Sequence, residues 1–297
     1  MKPEELEKRL RAPDGPFKLA DIDPRDTGGI EKDESEALLA RGLARLRDLQ
    51  TRLYAERRHA ILIILQGMDT AGKDGLVSHV MSGVNPQGCE VTSFKAPSTL
   101  EQGHDFLWRC ACALPERGRI GIFNRSYYEE VLVVRVHKDM LDKEPLPKSL
   151  VTDDIWKERF ESIHDFERHL RRNGTLVLKF FLHISRKEQK ERLLARIDEP
   201  AKNWKFNAGD LAERRFWRDY VRAYEDAIAQ TSADNAPWYI IPADRKWFAR
   251  LAVAEIIVGH LEQIDPKYPV LDEAAQGDLR RARAELEKDD VSSDRIS

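Results

Sequence analysis

The residues best suited to chemistry lie in one glycine-rich segment, Gly67-Met-Asp-Thr-Ala-Gly72-Lys73. It follows an apolar run, Ala60 to Leu65, and precedes a sequence that can form a helix. A glycine-rich turn between a strand and a helix directs backbone N–H groups and the helix dipole at phosphate oxygens, while the lysine reaches the terminal phosphates. The segment therefore predicts phosphate binding by Gly67, Ala71, Gly72 and Lys73.

The loop is unusual in its acidic residues. Asp74 follows the lysine, where such loops usually carry a Ser or Thr hydroxyl that ligates Mg²⁺. Asp69 lies inside the loop, where bound phosphates would repel a carboxylate unless a cation bridged the charges. We expect Asp69 to ligate Mg²⁺, for which Mn²⁺ can substitute, or to position the acceptor. Asp74 either joins the phosphate site or complements the helix dipole.

A second group of polar residues follows the apolar run Ile120 to Phe123. Asn124 is predicted to hold a metal-bound water, and Arg125 to stabilise charge on a transferring phosphoryl group. The alternative for Arg125 is an ordinary arginine at a strand end. Three residues further on are predicted to contact a nucleoside, although a charged loop end fits them equally well: Tyr128, Glu129 and Glu130.

Basic residues are concentrated near the predicted strand ends and in the segment 186–231. Arg192 and Arg196 are four residues apart, so that they share a helix face and could grip one anion together. Any one of these cations is well explained as a solvated surface charge, but together they favour a polyanionic substrate. The phosphate-binding candidates are Lys95, Arg109, Arg125, Arg192, Arg196 and Lys205.

Five short apolar runs separated by helix-length intervals must position these residues. Most are continuously apolar, as in strands that are covered on both faces of a parallel sheet. This pattern predicts a three-layer α/β/α fold with a five-stranded parallel sheet. The runs are Ala60 to Leu65, Val91 to Phe94, Ile120 to Phe123, Leu176 to Ile184 and Trp238 to Ile241.

The remaining segments define the predicted organisation. Residues 1–30, rich in Pro and Gly, predict an extended arm, and residues 31–271 the phosphate-binding domain. Within it, leucines at helical spacing over 31–58 predict an amphipathic helix that packs on the sheet or on another subunit. Residues 186–231, broken at Pro200, predict a helical lid. Residues 272–297 predict a charged helix that frays into a disordered tail.

Composition excludes several functional classes. The chain of 297 residues carries 49 Lys plus Arg against 52 Asp plus Glu, a net charge of −3 that gives no global attraction to nucleic acid or anionic membranes. Its three cysteines show neither disulfide nor zinc-site spacing. The N-terminus has no apolar signal core, and no apolar run approaches the length of a membrane span. We expect a cytoplasmic protein.

Five motifs in order resemble the polyphosphate kinase 2 family over roughly residues 30–265. They are Gly67-x-Asp69-x-x-Gly72-Lys73, Lys95-x-Pro97-Ser-x-x-Glu101, Trp108-Arg109, Phe123-Asn-Arg125-Ser-x-Tyr128 and Trp204-Lys205-Phe206. The resemblance implies a P-loop kinase-like fold with a helical lid. It also implies Mg²⁺-dependent phosphoryl transfer between polyphosphate and nucleotides by a homodimer or homotetramer.

The resemblance carries functional roles onto particular positions: Asp69, Lys73, Asn124, Arg125 and cations of the lid. Many members of the family have Asp in place of Asn124, Gly in place of Asp74 and Glu in place of Gln66. This combination resembles the branch that acts on nucleoside mono- and diphosphates, with adenine or guanine bases. Two alternatives are an ATP-dependent nucleoside monophosphate kinase and a regulatory nucleotide-binding protein.

Overall fold

The computed structural model describes residues 3–288, and its centre is one sheet of five parallel strands in the order β2-β3-β1-β4-β5. All five strands lie where the apolar runs predict them. The predicted five-stranded parallel sheet is therefore confirmed. The strands are β1 (Ala60–Gly67), β2 (Cys89–Ser93), β3 (Ile120–Asn124), β4 (Thr175–His183) and β5 (Trp238–Pro242).

Helices cover both faces of the sheet, which gives the predicted three layers. They are α1 (Pro3–Leu10), α2 (Lys32–Glu56), α3 (Lys73–Val80), α4 (Thr99–Gln102), α5 (Trp108–Cys112), α6 (Glu129–Val136), α7 (Lys138–Leu141), α8 (Ile155–Arg172), α9 (Arg186–Asp198), α10 (Ala208–Glu213), α11 (Trp217–Thr231), α12 (Lys246–Ile264) and α13 (Glu273–Leu286). Helices α3 and α12 pack together on one side, and α6, α8 and α11 on the other.

The strand register brings the chemically interesting residues to one edge. Every residue of the central strand β1 is buried, as its continuous apolar sequence predicts. Leu65 of β1 lies opposite Asn124 of β3 and Phe180 of β4. The glycine-rich loop after β1 and the Asn124-Arg125 pair after β3 therefore emerge side by side, at the carboxyl ends of the strands where ligands of such sheets bind.

Helix α2 packs against α12 of the same chain. Leu46, Leu49 and Leu53 are at most 1% exposed, whereas the charged residues between them face solvent. The amphipathic pattern thus predicted the helix correctly, and the helix packs on α12 of the same chain.

The first residues differ from the prediction of an extended arm. Residues 3–10 form α1, in which Leu6 and Leu10 are buried against α12, and Arg11 then bridges to Tyr239 of the edge strand β5. Leucines four residues apart make one apolar helix face, and its burial outweighs the prolines and glycines that follow. The predicted tail after Asp289 lies outside the described residues.

The segment 186–231 is helical and broken where Pro200 predicts it. Helix α9 ends at Asp198, 3₁₀ turns follow over Pro200–Lys205, and α10 and α11 complete the segment. Trp204 in the turn is 79% exposed. That this segment moves as a lid stays a prediction. In the part of the chain described here, no helix combines the length and apolarity needed to cross a membrane.

Candidate active site

The loop between β1 and α3 requires both of its glycines. A Cβ on Gly67 would lie 3.0 Å from the carbonyl oxygen of Leu182 and 3.1 Å from the Cβ of Ala71. Gly72 has a φ of +105°, a left-handed conformation that side chains disfavour, and α3 begins directly after it. The first N–H groups of a helix lack partners within it, so this turn provides donors for an anion.

Lys73 folds back over this loop. Its Nζ donates a hydrogen bond to the carbonyl oxygen of Gly67 at 2.7 Å. Burial and the neighbouring Arg125 guanidinium lower the pKa of the Lys73 ammonium, against the opposing effect of the Asp69 and Glu129 carboxylates. The lysine therefore lies among charges of both signs at the centre of the site.

Arg125 joins two carboxylates across the site. Its Nη2 donates to Asp69 at 3.1 Å and its Nη1 to Glu129 at 3.3 Å. Although burial opposes it, these carboxylates hold the pKa of Arg125 above its ordinary value. The Arg125 backbone has a φ of +66° and donates from its N–H to the carbonyl oxygen of Leu65 at 3.1 Å. This strained conformation directs the arginine across the strand ends.

Asp74 and Asn124 form a second pair beside the first. The Asn124 amide donates to the Asp74 carboxylate at 2.5 Å. The contact follows from the register, because Asn124 ends β3 next to β1 and Asp74 lies in the first turn of α3. Asp74 therefore belongs to the site, where the sequence left its role open.

The oxygen donors of these pairs fit Mg²⁺. This ion binds proteins through one or two carboxylates and completes its octahedron with water and substrate phosphates. Asp69, Asp74 and Asn124 supply hard oxygen atoms beside the phosphate loop. No cluster of three or more His, Cys, Asp or Glu that could enclose a metal occurs within residues 3–288. The arrangement suits a metal that takes some of its ligands from the protein and the others from a phosphate substrate.

The structure gives Arg192 an environment different from the one expected. Its guanidinium donates to the carbonyl oxygens of Thr70 and Ala71 in the phosphate loop, at 3.0 and 2.7 Å, and to those of Ala243 and Asp244 after β5. Arg192 is 9% exposed, and its hydrogen bonds stabilise the backbone of the phosphate loop. As a correction, it does not share an anion site with Arg196 in this structure, because Nη1 and Nη2 bind backbone carbonyls and Nε donates to Glu188 at 2.7 Å.

The other predicted cations are more accessible. Arg196 donates to Asp210 at 2.7 Å and to the carbonyl oxygen of Lys205 at 3.1 Å. The Lys205 ammonium lies 4.9 Å from the centre of the Trp204 ring, and Lys95 is exposed after β2. Phosphate binding by these three residues stays a prediction.

Arg109 and Glu130 are buried together. Arg109 donates to the carbonyl oxygen of Lys95 at 2.8 Å and to Glu130 at 3.5 Å. Arg159 lies on the other side of Glu130, at 3.8 Å. Burial, reinforced by Glu144, raises the pKa of Glu130 to about 7 despite both arginines. The predicted contact of Glu130 with a nucleoside is therefore corrected to a role in the packing below the site.

The structure also gives Tyr128 an environment different from the predicted one. It is fully buried, and its hydroxyl donates to Glu167, lies 2.9 Å from the Thr231 hydroxyl and accepts from Lys179. The Lys179 ammonium also donates to Glu167, and both charges are at most 1% exposed. As a correction, Tyr128 cannot contact a nucleoside here, because it completes a buried polar network. Of the three nucleoside candidates, only Glu129 adjoins the phosphate loop through Arg125.

Sequence reasoning missed several neighbours of the loop. Gln189 of α9 donates to the carbonyl oxygen of Asp69 at 3.1 Å. Asp210 of α10 accepts from Arg196 at 2.7 Å, and burial and the nearby Asp69 carboxylate raise its pKa. Burial likewise raises the pKa of Tyr224, and the nearby carboxylates of Glu129 and Asp69 raise it further. The one signal for Gln189 in the sequence was its position three residues before Arg192, on the same face of the predicted helix.

The fold and the site together define a P-loop phosphotransferase. The parallel sheet carries a glycine-rich loop at its central strand, with a lysine in that loop and an arginine after the neighbouring strand. Comparison with known proteins narrows this class, because residues 29–269 match the family Polyphosphate kinase 2 (PPK2). The chain therefore belongs to the polyphosphate kinase 2 family. The predicted enzyme type, a polyphosphate:nucleotide phosphotransferase of the kinase class, is confirmed.

Similar proteins cover nearly the whole chain. An ADP-polyphosphate phosphotransferase of Rhodopseudomonas palustris is 53% identical over 258 residues, which are 86% of this chain and 89% of that protein. An AMP/ADP-polyphosphate phosphotransferase of Meiothermus ruber is 46% identical over 91% of this chain and 98% of that protein. The crystal structure of Polyphosphate Kinase 2 from Arthrobacter aurescens TC1 is 42% identical with a TM-score of 0.84, covering 95% of this chain and 97% of that one.

Proposed function

We propose that this protein transfers phosphoryl groups between inorganic polyphosphate and both nucleoside mono- and diphosphates, converting AMP to ADP and ADP to ATP. The single observation that carries the proposal is the convergence of Lys73, Arg125 and Asp69 at the phosphate loop. The two similar enzymes support the acceptors, since the name of one specifies ADP and that of the other AMP and ADP.

The reaction needs no strong general base. An oxygen of the acceptor's terminal phosphate is already ionised at neutral pH, and it forms the new bond to the terminal phosphorus of polyphosphate. The bond from that phosphorus to the bridging oxygen breaks in line, and the electron pair stays on the shortened chain. Catalysis then consists of positioning and charge neutralisation.

The chain's own residues divide this work. The N–H groups at the start of α3 hold phosphate oxygens, and Lys73 exchanges its bond to the Gly67 carbonyl for one to the transferring group. Arg125 neutralises charge that develops on that group while Asp69 and Glu129 hold it in place. Closure of the segment around Pro200–Lys205 excludes water that would hydrolyse the donor.

Mg²⁺ fits beside these residues, with Asp69 as its carboxylate ligand and Asp74 and Asn124 next to it. When bound, the ion neutralises phosphate charge and orients the phosphate oxygens. The lack of a hydroxyl after Lys73 leaves this duty to the acidic residues. The assembly of the chain as a dimer or tetramer stays a prediction.

The acceptor range is tested by a time course of nucleotides from AMP and polyphosphate with Mg²⁺. The proposal expects ADP to accumulate first and ATP to follow. An enzyme restricted to diphosphates forms ATP from ADP but leaves AMP unchanged, which would refute the dual range. Parallel reactions with GDP measure the preference for the base.

A further inference from the structure

A cleft lies between the start of α9 and the first turns of α11. It has a volume of about 580 Å³ and is lined by Arg186 at the start of α9 and by Trp217, Arg218, Val221 and Arg222 of α11. None of these residues belongs to the candidate active site.

The two sides of α11 serve different surroundings. Tyr224 faces the active site, because its side chain is buried, packs on Phe181 of β4 with ring centroids 4.4 Å apart and hydrogen-bonds the backbone of Gly67 in the phosphate loop. With 3.6 residues per turn, residues two positions apart point to nearly opposite sides of a helix. Arg218 and Arg222 therefore lie on the side of α11 that faces away from the phosphate loop.

The positive charge around this cleft lacks compensation. Within the described residues, Arg186, Arg215 and Arg218 have no carboxylate partner, and Arg222 alone has one, Asp219. Arg214 donates instead to the carbonyl oxygen of Arg186 and to the side chain of Gln189. Burial and the nearby Arg186 lower the pKa of Arg214, so like charges already repel one another here.

A chain with a net charge of −3 thus carries four arginines close together on its surface, Arg186, Arg214, Arg218 and Arg222. A bound polyanion relieves the mutual repulsion between uncompensated cations. Its binding also releases counterions from the polyanion into solution. Guanidinium groups bind phosphate oxygens through two parallel hydrogen bonds. Single phosphates would use one of these arginines, whereas a chain of phosphates can use several at once.

We propose that this outer cleft, formed by Arg186, Arg218 and Arg222, is a second binding site for polyphosphate, which anchors a distant part of a long chain while its end reacts at the phosphate loop. The inference rests on the proposed function, since it assumes polyphosphate as donor. Two contacts on one chain act through effective concentration, so that the site favours long donors over short ones.

The test compares long and short donors in one double variant, Arg218→Gln/Arg222→Gln. Glutamine keeps a polar end group and removes the charge. We expect the KM for polyphosphate of about one hundred phosphates to rise about tenfold, as the loss of two charge-assisted contacts predicts. The KM for a donor of a few phosphates and the KM for ADP should change less than about twofold. The difference should shrink as the salt concentration rises.

The chain offers a closely matched control on α8. Arg168 and Arg172 are also exposed and four residues apart, and Arg168 is paired with Asp165 three positions before it, just as Arg222 is paired with Asp219. Arg168→Gln/Arg172→Gln should leave the KM for both donors unchanged. Thermal unfolding of both variants verifies that they are folded, and Arg186→Gln provides an independent change on the other wall of the cleft.

The outcomes separate the two proposals. One outcome is that the wild-type enzyme uses the short donor and that both double variants have the wild-type KM for the long donor. The second site is then refuted and the proposed function stands. A KM for ADP that rises with the KM for long polyphosphate also refutes it, because the cleft then binds the nucleotide. If the wild-type enzyme uses neither donor, the proposed function itself fails.

Discussion

Arg125 and Asp69 meet across the ends of two neighbouring strands, with the Nη2 of the arginine 3.1 Å from a carboxylate oxygen of the aspartate. Asp69 comes from the loop after β1, and Arg125 follows β3. The pair holds an acid next to a phosphate site without leaving its charge unbalanced. Both side chains are partly exposed, at 42% for Arg125 and 23% for Asp69, so that both can reach a substrate.

Replacement of Asp69 tests its catalytic role. Asp69→Asn keeps an acceptor for Arg125 but removes the charge that we assign to the metal, so we expect kcat to fall by about 10²-fold or more. Initial rates at several Mg²⁺ concentrations measure the effect. Asp139→Asn, an exposed aspartate paired with Lys143, is the control and should retain full activity. A fall of less than about threefold in Asp69→Asn would contradict the metal role.

Replacement of Arg192 tests its role behind the phosphate loop. Arg192→Lys keeps the charge but cannot reach four carbonyl oxygens, so we expect the free energy of unfolding to fall by about 1–3 kcal/mol. The KM for polyphosphate should rise as well, since the loop is held less firmly. Urea denaturation and steady-state kinetics measure the two effects. Lys187→Ala, an exposed residue of the same helix, is the control. Unchanged stability in Arg192→Lys would exclude this positioning role.

The sequence predicted the sheet well, because the apolar run of β1 is continuous and its strand is buried on both faces. The same argument located Lys73 and Arg125, since the ends of adjacent parallel strands must meet at one edge.

Two side chains could not be placed in this way. Arg192 looked like a phosphate ligand because charge is visible in a sequence, whereas the backbone carbonyls that it binds are not. Tyr128 follows the strand end as a nucleoside contact would, but its hydroxyl is used by the buried ammonium of Lys179. These partners are separated from one another by 50 residues or more, and only the fold brings them together.

The burial of Tyr128 leads to a prediction about stability. Tyr128→Phe removes the hydroxyl from a network that includes a buried Lys179–Glu167 pair, so we expect the free energy of unfolding to fall by about 1–3 kcal/mol. The KM for ADP should not change, because the side chain is fully buried. Denaturation and nucleotide kinetics measure both. A raised KM without loss of stability would restore the nucleoside contact.

The raised pKa of Glu130 predicts that the free energy of unfolding depends on pH. Burial raises its pKa from 4.5 to about 7, so the folded state binds more protons than the unfolded state between these values. Its contribution therefore destabilises the fold increasingly as the pH rises from about 4.5 to about 7, and is constant outside that window.

Glu130→Gln removes this titration while keeping an acceptor for Arg109. The stability of the variant relative to the wild-type protein should increase from pH 5 to pH 8, as measured by urea denaturation at each pH. A difference between the two proteins that is the same at every pH would show that Glu130 does not titrate in this range.

The central claim is that polyphosphate donates phosphoryl groups at the site formed by Lys73, Arg125 and Asp69. The most direct measurement follows ATP formation from ADP and Mg²⁺ with polyphosphate as the sole donor, in the wild-type protein and in Lys73→Ala. We predict rapid formation of ATP by the wild-type protein and a loss of about 10²-fold or more in the folded variant. Formation of product from AMP and ATP, with none from polyphosphate and ADP, would contradict the claim.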